Sequence, residues 1–185
     1  ESIMSRLAIP TIDTAAEASK PLLAAVKQQL GVVPNLMKLV GHSAAALEGY
    51  LSLNGALAKG KLDVKLRERL ALGVAEFNGC DYCLSAHAYL GANVAKLNQS
   101  ELDAARDFRS DDARADAALR FARRVAESHG RVSDTELATL RAAGFDEAGV
   151  IEIVVNVALN VLTNYVNNVA QTDIDFPKVD AKPAA

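Results

Sequence analysis

The spacing of apolar residues constrains the fold of this chain more than any other feature. Apolar side chains recur every three or four residues along almost the whole sequence, and no segment shows the alternation typical of a β-strand. Glycine, charged and amide residues interrupt every long apolar stretch, so no run reaches the roughly 18 to 20 residues of a membrane-spanning helix. The pattern predicts an all-α protein that does not span a membrane.

Capping residues and helix breakers predict where the helices begin and end. In chain order, we expect a helix from near Ser19 and Pro21 to Gly31, one opening at Pro34, one from Ser43 to Gly60, one from about Asp63 to Phe77, one from Cys80 or Asp81 to about Leu97, a short one after Ser100, one from Ser110 or Asp111 to Gly130, one from Ser133 to Gly144, and one from Asp146 to about Ala170. This pattern predicts a bundle of about eight or nine helices.

The length of the chain, 185 residues, is that of a single domain. We expect an N-terminal extension over residues 1–18, a helical domain over residues 19–172, and a C-terminal tail over residues 173–185. The tail contains Pro177 and Pro183, and we expect it to form a loosely attached strap.

The charge and the cysteine content limit which binding partners and which cellular compartment we expect. The net charge is −3 and there is no basic block, so neither nucleic acid nor a membrane is an expected partner. The N-terminus carries no export pattern, which predicts a cytoplasmic protein. In the reducing cytosol the two cysteines would not form a permanent structural disulfide, and they therefore need another function.

The two cysteines form a C-x-x-C pair at the predicted start of a helix. Cys80 and Cys83 directly follow the helix breakers Asn78 and Gly79, so both thiols belong to a first helical turn. Unpaired N–H groups and the positive end of the helix dipole favour a thiolate there. His87 lies four residues after Cys83, on the same helical face, where its imidazole can reach the sulfur.

An adjacent base matters because an ordinary thiol, with a pKa of about 8.5, is only roughly 3% thiolate at pH 7. Lowering the pKa by about two units would raise the reactive fraction roughly 25-fold. A carboxylate that holds the imidazole in one tautomer would complete a Cys–His–carboxylate arrangement. Glu68 and Glu76 on the preceding helix are the local candidates, and spacing alone does not choose between them.

Metal and haem sites are weaker interpretations of the same residues. Cys80, Cys83 and His87 offer three zinc ligands, but a structural site needs a fourth, and there is no second C-x-x-C. A c-type haem site needs His directly after the second cysteine, where this chain has Leu84. We therefore expect no metal and no cofactor, and we expect His129, at a helix end, to have a structural role.

The last predicted helix carries a polar stripe in an apolar sequence. Asn156, Asn160 and Asn164 recur every four residues among apolar neighbours. Buried amides need partners, so the stripe should line a subunit contact, a water-filled seam or the wall of the active pocket. The apolar surround suggests burial on several sides and favours a homo-oligomer.

The motif resembles that of the AhpD-like alkylhydroperoxidases within the carboxymuconolactone decarboxylase superfamily. That pattern is a Glu twelve residues before the first Cys, then C-x-x-C, then a His four residues after the second, and here it matches Glu68, Cys80, Cys83 and His87. The resemblance is sharp over residues 66–97 and general over most of the rest. The best-known members carry a His just before the second Cys, whereas this chain has Tyr82, so a relay through that imidazole is absent or replaced by the phenol.

The resemblance implies an AhpD-like helical bundle that assembles into trimers or hexamers and reduces organic hydroperoxides. It implies that Cys83 is the peroxidatic thiol, that Cys80 is the resolving thiol, and that Glu68 and His87 relay protons to Cys83. The implied partners are a small-molecule hydroperoxide and a dithiol protein or small thiol as reductant. Two other functions stay open: a lactone decarboxylase of the same superfamily, and an adaptor that reduces a partner peroxiredoxin by disulfide exchange.

Overall fold

The computed structural model describes residues 5–183; residues 1–4 and 184–185, at the ends of the predicted extension and tail, lie outside the described part. Over the described residues the chain forms a short 3-10 turn, Glu17–Ser19, and nine α-helices, without a β-strand. The helices are α1 (Lys20–Leu30), α2 (Asn35–Val40), α3 (Ala44–Leu57), α4 (Val64–Phe77), α5 (Asp81–Asn93), α6 (Gln99–Arg106), α7 (Ala113–Ser128), α8 (Asp134–Ala142) and α9 (Glu147–Ala170). The predicted all-α single domain is confirmed.

Most helices begin at the caps that the sequence predicts. A side-chain oxygen accepts a hydrogen bond from a backbone N–H of the first turn in helices α3, α4, α8 and α9, and the capping residues are Ser43, Asp63, Ser133 and Asp146. The C-cap of α1 is Gly31, with a left-handed φ of 78°. These local signals set the boundaries because each cap satisfies N–H or C=O groups that the helix itself leaves unpaired.

Several helix boundaries differ from the prediction. Helix α6 is capped by Asn98, which forms a reciprocal capping box with Glu101, and not by Ser100. Helix α5 ends at Asn93 and not near Leu97, because the chain needs a connection that includes the left-handed Lys96 (φ 58°) before the Asn98 cap. The α7 cap is Asp112, one residue beyond the predicted Asp111.

Helix α4 lies at the centre of the domain and packs against α5, α6, α7 and α9. Its residues 70–75 are buried without interruption, and they serve two apolar clusters. Leu72 and Ala75 pack with residues of α1, α2, α3 and α5, whereas Leu70 and Val74 pack with residues of α7, α8 and α9. A helix enclosed in this way is a fixed platform for the residues at its ends.

Helix α9 is the described helix that is long and apolar enough to cross a membrane by length and composition alone. An 18-residue window within it has a mean hydropathy of 1.5, although asparagines interrupt its apolar run. Half of that window is buried inside the domain. Core helices of soluble proteins pass the same test, so the helix is weak support for a membrane span.

The C-terminal strap, residues 172–183, is held more firmly than the sequence predicts. The Asp175 carboxylate accepts hydrogen bonds from the Asn35 backbone N–H and from the Tyr82 hydroxyl, both at 2.8 Å. Farther along, the strap donates backbone N–H groups to side chains of α4 and α5, and the acceptors are Ser85, Asp81 and Glu76. The expectation of a loosely attached tail is wrong for these residues, because polar side chains of the domain pair with its backbone along its length.

Candidate active site

The turn between α4 and α5 brings the two cysteines together. Gly79 adopts a left-handed φ of 60°, and the Cys80 N–H returns to the Ala75 carbonyl at 2.9 Å. This geometry places Cys80 at the N-cap of α5, where its Sγ accepts a hydrogen bond from the Cys83 N–H at 3.2 Å. Both cysteines are free thiols, and they are buried, with 0% and 3% of their surface exposed.

His87 pairs with Glu68 and not with Glu76. The His87 Nδ1 lies 2.8 Å from the Glu68 Oε2, and both side chains are largely buried. Glu76 instead forms an ion pair with Arg106, 2.6 Å from Nε to Oε2, and accepts the Lys182 backbone N–H. Sequence spacing does not decide which of the two carboxylates meets His87; the packing of α4 against α5 does.

The Glu68 pairing sets the charge of the imidazole. Burial by itself would lower the pKa of His87, but the charge and hydrogen bond of Glu68, together with the Cys83 thiolate, raise it above the ordinary value. Because Nδ1 binds Glu68, Nε2 is the remaining ring nitrogen for proton exchange. An imidazolium held beside a thiol favours the thiolate.

The two thiols have pKa values shifted in opposite directions. The hydrogen bond from Cys80 lowers the pKa of Cys83, burial opposes this, and the charge of His87 with the nearby amides of Asn167 and Asn164 brings the pKa to about 7. The same interaction with Cys83, together with burial, raises the pKa of Cys80. Cys83 is thus the thiolate near neutral pH, and Cys80 keeps its proton.

Helix α9 supplies amides to the sulfur of Cys83. The Asn167 Nδ2 donates to the Cys83 Sγ at 3.2 Å, and Asn164 also lowers the pKa of that thiol. Farther from the site, the amides of Asn156 and Asn160 bond to carbonyls of their own helix. The predicted polar stripe therefore has two parts. Asn156 and Asn160 bond to the backbone of α9 itself, and Asn164 forms part of the wall of the thiol site.

The segment that carries the thiol site matches the sequence model of a known protein family. The model of the carboxymuconolactone decarboxylase family matches residues 44–128, a span that contains both cysteines, Glu68 and His87. Together with the fold, this match confirms the resemblance that the Glu68, Cys80, Cys83 and His87 motif predicts. Residues 44–128 thus match the carboxymuconolactone decarboxylase family, and the chain has an AhpD-like fold. No curated protein matches the chain.

Solved structures share the AhpD-like fold over almost the whole chain. One is an alkylhydroperoxidase AhpD core, an uncharacterized peroxidase-related protein from Ralstonia eutropha JMP134, with a TM-score of 0.83, 22% identity, and 93% of each chain covered. A peroxidase-related protein from Silicibacter sp. TM1040 has a TM-score of 0.80 and 21% identity, and 92% of this chain and 91% of that chain are covered. The debrominase Bmp8 has a TM-score of 0.73 and 23% identity, with 95% and 93% covered. At these identities the likeness concerns the fold.

Tyr82 occupies the position where the best-known AhpD-like proteins carry a histidine. Its hydroxyl accepts a hydrogen bond from the Leu36 N–H at 3.1 Å and donates to Asp175. Its ring packs edge-on against Phe176, with centroids 5.9 Å apart. Burial raises the pKa of Tyr82 well above its usual range. The phenol therefore holds the strap, and its proton is committed to Asp175.

Two residues near the thiols have no signal in the motif. Asn167 follows the predicted stripe by three residues, so continuing that stripe along the helix face would have found it. Tyr50 on α3 is half-buried, and burial, together with the charges of Cys83 and Glu68, raises its pKa to about 12. Nothing local in the sequence indicates that Tyr50 reaches this site, because the contact depends on how α3 packs.

A cleft of about 690 Å³ adjoins the thiol site between the start of α5, the end of α9 and the strap. Its walls include Gly79, Tyr82 and Asn167, with Phe176 and Lys178 from the strap. Asn167 connects this cleft to the sulfur, because the residue lines the cleft and its amide donates to Cys83. The cleft is therefore a candidate approach for a small substrate.

The other histidines lie outside this arrangement. His129 is the left-handed C-cap of α7, with a φ of 55°, and His42 binds the Ala8 carbonyl through Nε2 at 2.7 Å. Over residues 5–183, no group of three or more His, Cys, Asp and Glu side chains is placed to hold a metal ion.

Proposed function

We propose that this protein is a cytoplasmic, thiol-dependent peroxidase that reduces organic hydroperoxides through a Cys80–Cys83 disulfide. The observation that supports this most directly is the pair of adjacent thiols with opposite pKa shifts, one beside an imidazole and two amides. A peroxidase of this kind needs one thiolate to attack and one protonated thiol to resolve the product.

The first half of the cycle oxidises Cys83. The thiolate attacks the terminal oxygen of the hydroperoxide, the O–O bond breaks, and the sulfur becomes a sulfenic acid. The departing alkoxide takes a proton from the His87 imidazolium and leaves as an alcohol. Glu68 binds the Nδ1 side of the imidazolium, so the proton that is transferred is the one on Nε2.

The second half forms and then reduces the disulfide. The Cys80 thiol attacks the sulfur of the sulfenic acid, the S–O bond breaks, and water leaves with the thiol proton. A dithiol protein or small thiol then restores both thiols by exchange. The adjacent N-cap position of Cys80 brings its sulfur to the Cys83 turn without a large movement of the backbone.

A homo-oligomer, a trimer or hexamer, belongs to this proposal. Helix α9 presents a line of exposed apolar side chains at three- and four-residue spacing, which we call the α9 stripe: Ile151, Val154, Ala158, Leu162, Tyr165 and Val169. A line of this kind is typical of a helix that packs against another surface. A second copy of the chain is the proposed occupant.

The first experiment counts thiols by mass spectrometry on fully reduced protein, before and after one equivalent of cumene hydroperoxide. We expect both thiols to disappear into one intramolecular disulfide, faster than in a model dithiol. Cys83→Ser should abolish the reaction, and Cys80→Ser should leave one trappable sulfenic acid. Thiols that stay reduced, or equal loss in both variants without a sulfenic acid, would contradict the proposal.

Competing functions are tested on the same samples. A lactone decarboxylase would release CO2 from its lactone with Cys80→Ser and Cys83→Ser as active as the parent chain. A disulfide-exchange adaptor would reduce a disulfide substrate but ignore the peroxide. The compound 2,3,4-tribromopyrrole is a further substrate to offer, because a variant of Bmp8 in complex with it shares this fold with a TM-score of 0.71.

A further inference from the structure

Two buried amide atoms beside Cys83 have no hydrogen-bond partner among the described residues. They are the Nδ2 of Asn164, a donor, and the Oδ1 of Asn167, an acceptor. Asn164 is 0% exposed and Asn167 is 2% exposed, so bulk water does not satisfy them. Unpaired buried polar atoms are uncommon in folded proteins, and a donor and an acceptor left unpaired beside one sulfur point to a ligand.

The remaining atoms of the two amides fix how they are turned. The Asn164 Oδ1 accepts a hydrogen bond from the Asn78 Nδ2 at 2.9 Å, which leaves Nδ2 for another group. The Asn167 Nδ2 donates to the Cys83 Sγ at 3.2 Å, which leaves Oδ1 for another group. Asn78 is itself held, because its carbonyl accepts the Asn168 Nδ2 at 2.8 Å.

Asn164 and Asn167 are three residues apart on one face of α9, and both influence the Cys83 sulfur. A donor and an acceptor placed in this way complement a hydroxyl group, which both accepts and donates. The hydroxyl that the proposed reaction creates at this place is the one on the oxidised sulfur of Cys83. We propose that Asn164 and Asn167 form an amide pair that holds this sulfenic acid: Asn164 Nδ2 donates a hydrogen bond to its oxygen, and Asn167 Oδ1 accepts a hydrogen bond from its hydroxyl.

The inference rests on the proposed peroxidase function and adds a residue role to it. A sulfenic acid that keeps its proton is a weaker nucleophile than its anion, so the amide pair slows attack on a second hydroperoxide, which would give a sulfinic acid. The pair also keeps the oxygen on the α9 side of the sulfur. Cys80 can then attack the sulfur, and the oxygen leaves as water with the Cys80 proton.

The test measures the lifetime of the sulfenic acid in the Cys80→Ser chain, where Cys83 is the remaining thiol. After an excess of cumene hydroperoxide, which supplies the oxidant for a second oxidation step, dimedone traps the remaining sulfenic acid at timed intervals, and mass spectrometry separates this adduct from the sulfinic acid. The test variant adds Asn164→Ala. The matched control adds Asn160→Ala, one turn earlier on α9, where the buried amide bonds to the Asn156 carbonyl.

We expect Asn164→Ala to shorten the sulfenic acid lifetime about fivefold to tenfold, the effect of one lost hydrogen bond, and Asn160→Ala to leave it unchanged. The pH dependence of Cys83 alkylation separates this effect from a change in thiolate population. If Asn164→Ala fails to fold, Asn167→Ala is measured in its place, with the same expected sign.

Two results would overturn the inference, and they are distinguishable. Equal sulfenic acid lifetimes in folded Asn164→Ala and Asn160→Ala would refute the role of the amide pair but not the proposed peroxidase function. A Cys80→Ser parent that forms no sulfenic acid would refute both.

Discussion

Replacing Cys80 with alanine or with serine should separate the effect of its hydrogen bond from the rest of the site. The Cys80 hydrogen bond is the largest cause of the low pKa of Cys83, ahead of the charge of His87. Serine keeps a donor at position 80, whereas alanine removes it. At a pKa of about 7, roughly half of Cys83 is thiolate at pH 7.

The size of the change follows from the strength of one hydrogen bond to a charged sulfur. A loss of about 1.4 kcal/mol raises the pKa by about one unit. The thiolate fraction at pH 7 then falls to roughly 9%, so Cys83 in Cys80→Ala should react about fivefold more slowly at that pH. Above about pH 9.5 the two variants should react at the same rate, because the thiol is almost fully ionised in both.

The assay is the rate of alkylation by iodoacetamide between pH 5 and pH 10. Each variant has a single thiol, so the midpoint of its pH profile belongs to Cys83 alone. Cys83→Ser provides the control: its remaining thiol, Cys80, should stay unreactive near neutral pH, because burial is among the causes that raise its pKa. Coincident profiles for Cys80→Ala and Cys80→Ser would refute the assignment of the hydrogen bond as the largest cause.

Three further predictions concern the relay, the stability and the assembly. Glu68→Gln removes the charge that raises the pKa of His87, so the Cys83 titration should move to higher pH and the cumene hydroperoxide rate at pH 7 should fall about tenfold; an unchanged profile would exclude the relay. Burial opposes ionisation of Asp116, but hydrogen bonds from two arginines bring its pKa to about 2. Its stabilisation is therefore present above the unfolded pKa of about 3.9 and is lost as pH falls toward 2, so Asp116→Asn should cost about 2 kcal/mol in urea unfolding at pH 7, a difference that shrinks below pH 4. Leu162→Glu places a charge in the α9 stripe and should yield smaller species in sedimentation velocity with the helix content unchanged, whereas unchanged assembly would locate the interface elsewhere.

The helix starts and the C-x-x-C turn could be predicted from the sequence because they depend on residues close together in the chain. Ser133 and Asp146 cap helices by accepting hydrogen bonds from backbone N–H groups three residues ahead. These helix starts can therefore be predicted from a few neighbouring residues. The same holds for the turn that joins Cys80 and Cys83, because the helix breakers stand directly before it. Where two local signals compete, as Asn98 and Ser100 do, spacing alone selects the wrong cap.

The remaining parts of the site depend on packing between distant segments. Glu68 and Glu76 are eight residues apart on one helix, and only the way α4 crosses α5 decides which carboxylate meets His87. Asn167 is 84 residues from Cys83, and its contact requires α9 to pack against α5. Tyr50 likewise comes from a separate helix, so the C-x-x-C segment itself predicts neither contact.

The late position of the amides and the strap in the chain has a consequence for its synthesis. A ribosome releases a protein from its N-terminus, so the C-x-x-C segment emerges well before Asn167 and Asp175. Until those residues arrive, the nascent thiols have neither the amide that contacts Cys83 nor the strap that anchors Tyr82 beside it. The reactive site is therefore complete only after the strap has left the ribosome. A tag fused directly to the strap would lie next to the residues that complete the site.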